Sequence, residues 1–247
     1  MPFLLQGSIV NKCKYKRVLL KLSGETFCKP GGFGIDGPGL ESIAQRIAQV
    51  SKLGSQIAIV VGGGNFLRGE TFSRNSHISR NTADYMGMLA TVLNACALQE
   101  TLEKMGQPTR VASAIEVSAL CEAFIRRKCL RHLELGRVVI LAGGTGNPFF
   151  STDTCAALRA SELDADVLIK ATKVDGVYSD DPQKNPDATL YEELTYAEVL
   201  QKNLRVIDHA AISLCRENNI PVIVLNIFKN GNITKALCGE KVGTLIK

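Results

Sequence analysis

LAGGTGNPFFSTDTCAALRA (residues 141–160) ends an apolar run, passes through Gly143, Gly144 and Gly146, stiffens at Pro148, and opens a helical pattern with Ser-Thr-Asp-Thr. Glycines just past a strand keep the turn thin, and a helix start presents backbone N–H groups to an anion. Strand, glycine turn and helix in that order are half of a parallel α/β unit. Within it Thr152 is the expected N-cap, and Asp153 falls in the first helical turn, where the helix end favours a carboxylate. Asp153 is thus suited to remain ionised and to orient Lys21. A simple capping acid satisfies the same spacing; on either reading Asp153→Asn should leave the fold intact, with turnover mildly affected for a cap and strongly lowered for a group that orients Lys21. Thr145 and Asn147 offer polar groups to a base or an acid.

The same grammar recurs outward from this stretch. RVLLKL (17–22), QIAIVV (56–61), TRVAS (109–113), RVVILA (137–142), DVLIKA (166–171) and PVIVLN (221–226) read as strands, apolar on both faces as in a covered sheet. Helix-length segments lie between them at 40–53, 83–105, 119–135, 153–163 and 207–218. The second carries an apolar face of Met86, Leu89, Leu93 and Ala97 and stops at Gly106. The expectation is one α/β domain over 1–247, a three-layer sandwich with a mainly parallel central sheet, preceded by a variable leader at 1–14.

Length and composition agree with an ordinary globular protein. The chain has 247 residues, 45% hydrophobic and 21% charged, with a net charge of +5 spread along its length. Arg126-Arg127-Lys128 is the longest basic cluster and reads as a solvated helix face, so no nucleic-acid partner is expected. Eight cysteines occur without any C-x-x-C, and three histidines add no zinc spacing. Free thiols in a reducing cytoplasm are the expectation. The leader has no basic signal region, and no apolar run reaches the length of about 18 residues that would suggest a membrane span.

Ligands in such sheets bind beyond the carboxyl ends of the strands, which is where four polar loops fall. KLSGE puts Lys21 at the end of the first strand with Ser23 and Gly24 behind it. A strand-end ammonium beside exposed N–H groups can neutralise phosphoryl oxygens as charge moves, although a solvated strand-end lysine is the plain alternative. VGGGNFLRG removes three side chains in succession, at Gly62, Gly63 and Gly64, letting backbone approach a ligand, and Arg68 offers a planar fork for phosphate. This loop is not a G-x-G-x-x-G fingerprint, and no G-x-x-x-x-G-K-[ST] P-loop occurs in the chain. KATKVDGVYSDDP places Thr172, Asp175, Gly176 and Tyr178 in a loop able to fold over a nucleobase, or equally in a surface turn. Asp84 and Asp208 sit near helix starts and read as capping acids.

LLKLSGE, GGFGID, VVGGGNFLRG, DYMGMLATVLN, GTGNPFFSTD, KATKVDGVYSDDP and GEKVGTLI together resemble the bacterial UMP kinase (uridylate kinase) family of the amino acid kinase superfamily, from about Tyr15 to Lys247. The resemblance implies an α/β sandwich unrelated to P-loop kinases and the reaction ATP + UMP → ADP + UDP with Mg²⁺ carried on the nucleotide phosphates. It implies catalytic roles for Lys21, Arg68 and Asp153. It places Lys21, Leu22, Ser23, Gly24, Gly64, Arg68, Thr172, Tyr178 and Asp181 around ATP. Around UMP it places Gly63, Asp84, Thr145, Gly146, Asn147, Pro148, Phe149, Phe150, Ser151 and Thr152. Asp208 matches a further acid near the phosphates. The family also implies a homohexamer, inhibition by UTP and activation by GTP through the segment 29–34. The stretch at 70–82 matches no motif. Another superfamily kinase acting on a carboxylate or carbamate, or a non-catalytic oxyanion-binding protein on the same fold, are the competing readings.

Overall fold

The computed structural model describes residues 13–74, 77–182, 184–204 and 206–247, so most of the leader lies outside the described residues. In chain order the elements are β1 (Arg17–Leu22), a 3₁₀ turn (Gly24–Phe27), α1 (Gly37–Ser51), β2 (Gln56–Val61), α2 (Gly69–Arg74), α3 (Arg80–Lys104) and β3 (Thr109–Ser113). There follow β4 (Glu122–Ala123), α4 (Arg126–Glu134), β5 (Val138–Ala142), α5 (Thr152–Glu162) and β6 (Val167–Thr172). The chain closes with β7 (Glu193–Leu194), α6 (Tyr196–Gln201), α7 (His209–Glu217), β8 (Val222–Asn226), α8 (Asn232–Leu237) and β9 (Thr244–Ile246). One sheet in the order β4-β3-β5-β2-β1-β6-β8-β9-β7 runs parallel except where β9 pairs with β8.

Alternation along the strands divides the core. Val18, Leu20 and Leu22 of β1 join the apolar layer under α1, α3 and α8, while Leu19 enters the layer under α4, α5 and α7. In β6, Ile169 and Ala171 take the first face and Leu168 the second. The period of two therefore sends Lys21 and Lys170 toward the α5 side. β1 and β6 are neighbours in register with Lys21 opposite Lys170, so two ammonium groups project side by side beneath the start of α5.

Three expectations change. The N-cap of α5 is Ser151, whose hydroxyl accepts from the N–H groups of Asp153 and Thr154, and Thr152 is the first helical residue. Helix α3 turns Leu89 and Leu93 outward, half exposed, and packs on Met88, Val92, Ala95, Leu98 and Leu102 instead. With apolar residues around most of its circumference, small Ala and Thr side chains decide which face approaches the sheet. The segment 119–135 is not one helix: Glu122–Ala123 pairs with Ala112–Ser113 as an edge strand and α4 begins only at Arg126. Strands of two or three residues (β4, β7, β9) are too short to carry a readable period.

Candidate active site

The glycine loops meet at the carboxyl edge between β1 and β2, and most of their glycines serve the protein's own packing. A Cβ on Gly24 would stand 2.5 Å from Asn65 Oδ1 and 2.6 Å from the Gly64 nitrogen. A Cβ on Gly63 would meet the Gly87 carbonyl at 2.6 Å, and one on Gly62 the Gly24 nitrogen at 2.8 Å. These positions let two loops and α3 touch backbone to backbone, which replaces the expectation that all three glycines make room for a ligand. Only Gly64 is open, with Arg68 Nε 3.9 Å from its would-be Cβ. The turn is pinned by a buried amide pair in which Asn65 and Asn94 donate to each other at 2.9 and 2.7 Å. Asn94 also donates to the Gly62 carbonyl and Asn65 to that of Gly34.

Beneath α5 the two lysines share one carboxylate. Lys21 Nζ stands 2.8 Å from Asp153 Oδ1. Lys170 Nζ donates to Asp153 Oδ2 and to the Val206 carbonyl. All three side chains are only 10–14% exposed. Burial alone would push the Asp153 carboxyl up, but the charges of Lys21 and Lys170 outweigh it and hold the group below its ordinary range. Burial pulls the Lys170 ammonium down, further than Asp153 restores it. Asp208 caps α7 through the Ala211 N–H at 2.7 Å and accepts hydrogen bonds from Ser151 and Thr154, tying the starts of α5 and α7 together. The capping expectation for Asp208 describes its position.

Beside this cluster opens a cavity of about 300 Å³ lined by Gly63, Gly64, Arg68, Asp84, Thr145 and Phe150 among others, with Ser151 and Thr152 at its α5 end. Arg68 reaches it as an exposed side chain paired with Glu25 of the 3₁₀ turn. Asp84 does not cap α3, a role taken by Ser79. It lies one turn inside that helix, accepts from Arg80 Nε at 2.8 Å and 2.9 Å, and accepts the Phe149 N–H at 2.8 Å. Phe149 adopts a left-handed φ of 71°, and this backbone bond pins the otherwise exposed Pro-Phe-Phe turn, whose Phe150 lines the cavity.

The remaining expected positions fall outside its lining. Gly146, Asn147, Pro148 and Phe149 do not line the cavity, and the Thr145 hydroxyl is engaged by its own loop, donating to the Asn147 carbonyl at 3.0 Å. Leu22 is fully buried, and Ser23 caps the 3₁₀ turn. Thr172 ends β6 with its hydroxyl on the Val174 and Leu225 carbonyls. Tyr178 and Asp181 stand in the hairpin that follows, where Tyr178 bridges Leu190 and Asp175 pairs with Lys229 at 2.7 Å. Lys170, Glu25 and Arg80 were not singled out from the sequence. Lys170 alone left a signal, a charge inside the apolar run VLIKA.

The amino acid kinase family model matches residues 16–226. The chain is 56% identical over 233 residues to the chloroplastic uridylate kinase PUMPKIN of Arabidopsis thaliana, covering 94% of this chain and 69% of that protein. It superposes on the UMP kinase of Bacillus anthracis with a TM-score of 0.91 at 38% identity, covering 94% and 96% of the two chains. The UMP kinase of Ureaplasma parvum gives 0.88 at 36% identity, covering 95% and 99%. Plant and bacterial proteins are thus both near relatives, and the likeness does not single out a bacterial branch. The mainly parallel sheet, the glycine turns at its carboxyl edge and these relatives agree: the chain belongs to the amino acid kinase family, among its UMP kinases.

Proposed function

We propose that this protein transfers the γ-phosphoryl group of ATP to UMP. A phosphate oxygen of UMP attacks the γ-phosphorus, the bond to the β–γ bridging oxygen breaks, and UDP and ADP leave. The observation that carries the reading is the buried Lys21–Asp153–Lys170 cluster beside an open cavity bearing Arg68 and Asp84. Lys21 is placed to neutralise the equatorial oxygens of the transferring group, and Arg68 can exchange Glu25 for phosphate with its planar fork. ATP would lie along Lys21–Gly24, Gly64 and the hairpin of Thr172, Tyr178 and Asp181. UMP would lie over Gly63, with Asp84 on its ribose hydroxyls and the 145–152 turn around its base. Lys21 and Arg68 suit phosphate oxygens, and Mg²⁺ would enter on the nucleotide, whose negative charge it would partly neutralise.

The half-exposed Tyr85, Leu89 and Leu93 of α3 support self-association, and a homohexamer regulated by UTP and GTP is the assembly we infer from the family likeness. The eight cysteines are all free thiols, which supports a reducing compartment such as the cytoplasm or a plastid. Among the described residues no helix is long and apolar enough to cross a membrane. We read the chain as one domain, since a single sheet spans it.

An ADP-release assay with UMP, CMP, AMP and aspartate as acceptors tests the reading. Turnover should require UMP. CMP should be poor, because cytosine reverses the donor and acceptor pattern of uracil and strands buried groups at about 1–3 kcal/mol each. Comparable kcat/KM for CMP, or turnover with aspartate alone, would overturn it.

A further inference from the structure

Two ammonium groups share the Asp153 carboxylate, and they do so unequally. Lys170 is anchored twice, donating to Asp153 Oδ2 and to the Val206 carbonyl at the approach to α7. Lys21 has one contact with the carboxylate: Asp153 Oδ1 lies 2.8 Å away, in poor alignment for a hydrogen bond. An ammonium carries three N–H donors. Lys170 spends two of them on the protein, whereas Lys21 directs at most one at Asp153 from the end of β1, where the KLSG turn begins.

We propose that Lys170 is a positioning residue for the transfer. It holds Asp153 from the interior, so that the carboxylate can attract Lys21 without gripping it, and Lys21 stays available to the moving phosphoryl group. Strand register makes this possible, because Lys21 and Lys170 are direct neighbours on β1 and β6 facing the same helix. Without Lys170 the carboxylate can rotate and take Lys21 in an aligned bond, withdrawing it from the cleft. The cluster also holds two cations for one anion. That surplus charge, partly countered by Asp208 on the α7 side, is best matched when a phosphoryl oxygen arrives. The inference rests on the phosphoryl-transfer reading given above.

The test is a double-mutant cycle on Lys170 and Lys21. Lys170→Met, which removes charge and donors at similar length, should lower kcat by about 10²-fold while the KM of both nucleotides stays within about threefold. Lys21→Ala should lose a similar factor. Because Lys170 acts through Lys21, the double variant should be no slower than Lys21→Ala alone. Lys170→Gln retains a neutral donor toward Asp153 and should fall between wild type and Met. It serves as the second arm of the same cycle should the Met variant not fold. Unchanged kcat in both Lys170 variants, or losses that multiply in the double variant, would overturn the assignment. A wild-type protein without UMP-dependent ADP release would sink the reaction reading itself, which is a different outcome.

Discussion

The charged groups beneath α5 and those around the cavity mouth are built on opposite plans. Lys21, Asp153 and Lys170 project from two strands and a helix, are nearly enclosed, and are tied to one another. Arg68, Glu25 and Arg80 project from a turn, a 3₁₀ segment and a helix end, are 66%, 36% and 38% exposed, and pair across short gaps near solvent. Enclosed charges act in a low-dielectric setting and need no rearrangement at the moment of reaction. Exposed pairs are weak and can exchange partners when a ligand arrives. On the function proposed above, the contrast separates a fixed charge-stabilising centre from an adaptable grip, and each can be broken on its own.

The largest effect should come from Asp153→Asn. The variant leaves two buried ammonium groups without their carboxylate, and kcat should fall by about 10²-fold or more. Loss of one partner from a buried ion cluster also costs about 3–5 kcal/mol, so the melting temperature should drop. This departs from the intact melt expected from the sequence, because Asp153 is enclosed between two ammonium groups and Ser151 is the cap. The acid limb of stability should change too. Since the folded carboxyl titrates below its ordinary 3.8, its contribution is present above that value and is lost as pH falls through the lowered one. The Asn variant should therefore show a flatter decline below that pH in urea titrations. A wild-type melt and turnover would return Asp153 to local helix chemistry.

Asp84→Asn should have an intermediate effect, confined to the grip. It weakens the contacts to Arg80 and the Phe149 N–H and removes the charge we place on the UMP ribose. The KM for UMP should rise by about tenfold, with kcat reduced less. A fall in kcat at unchanged KM would move Asp84 into the transfer step. Smallest of all should be Glu25→Gln, which loosens an exposed pair. Stability should change by less than about 1 kcal/mol, and the KM for ATP should hold or fall slightly as Arg68 is released. A marked loss of stability would show that the rim is as fixed as the interior.

Much of the fold could be read from local pattern. Six core strands followed by glycine or helical segments are contiguous signals, so β1, β2, β3, β5, β6 and β8 emerged within a residue or so of their bounds. Edge strands β4, β7 and β9 did not, since two or three residues carry no period and owe their conformation to the neighbour they pair with. The outward stripe of α3 was misread for a related reason. A helix apolar on several faces does not say which one meets the sheet.

The sequence by itself determined that glycine turns would gather at one sheet edge, and that Lys21 and Asp153 stood at a strand end and a helix start facing that edge. Both follow from periodicity and capping preferences that act over a few residues. Only the tertiary structure decided that β6 lies beside β1 in register, which brings Lys170 to the same carboxylate, and that Asp84 faces the cavity inside α3. Strand order and helix rotation are chosen by contacts between residues 65 to 149 positions apart, where burial of the whole apolar surface outweighs any local preference.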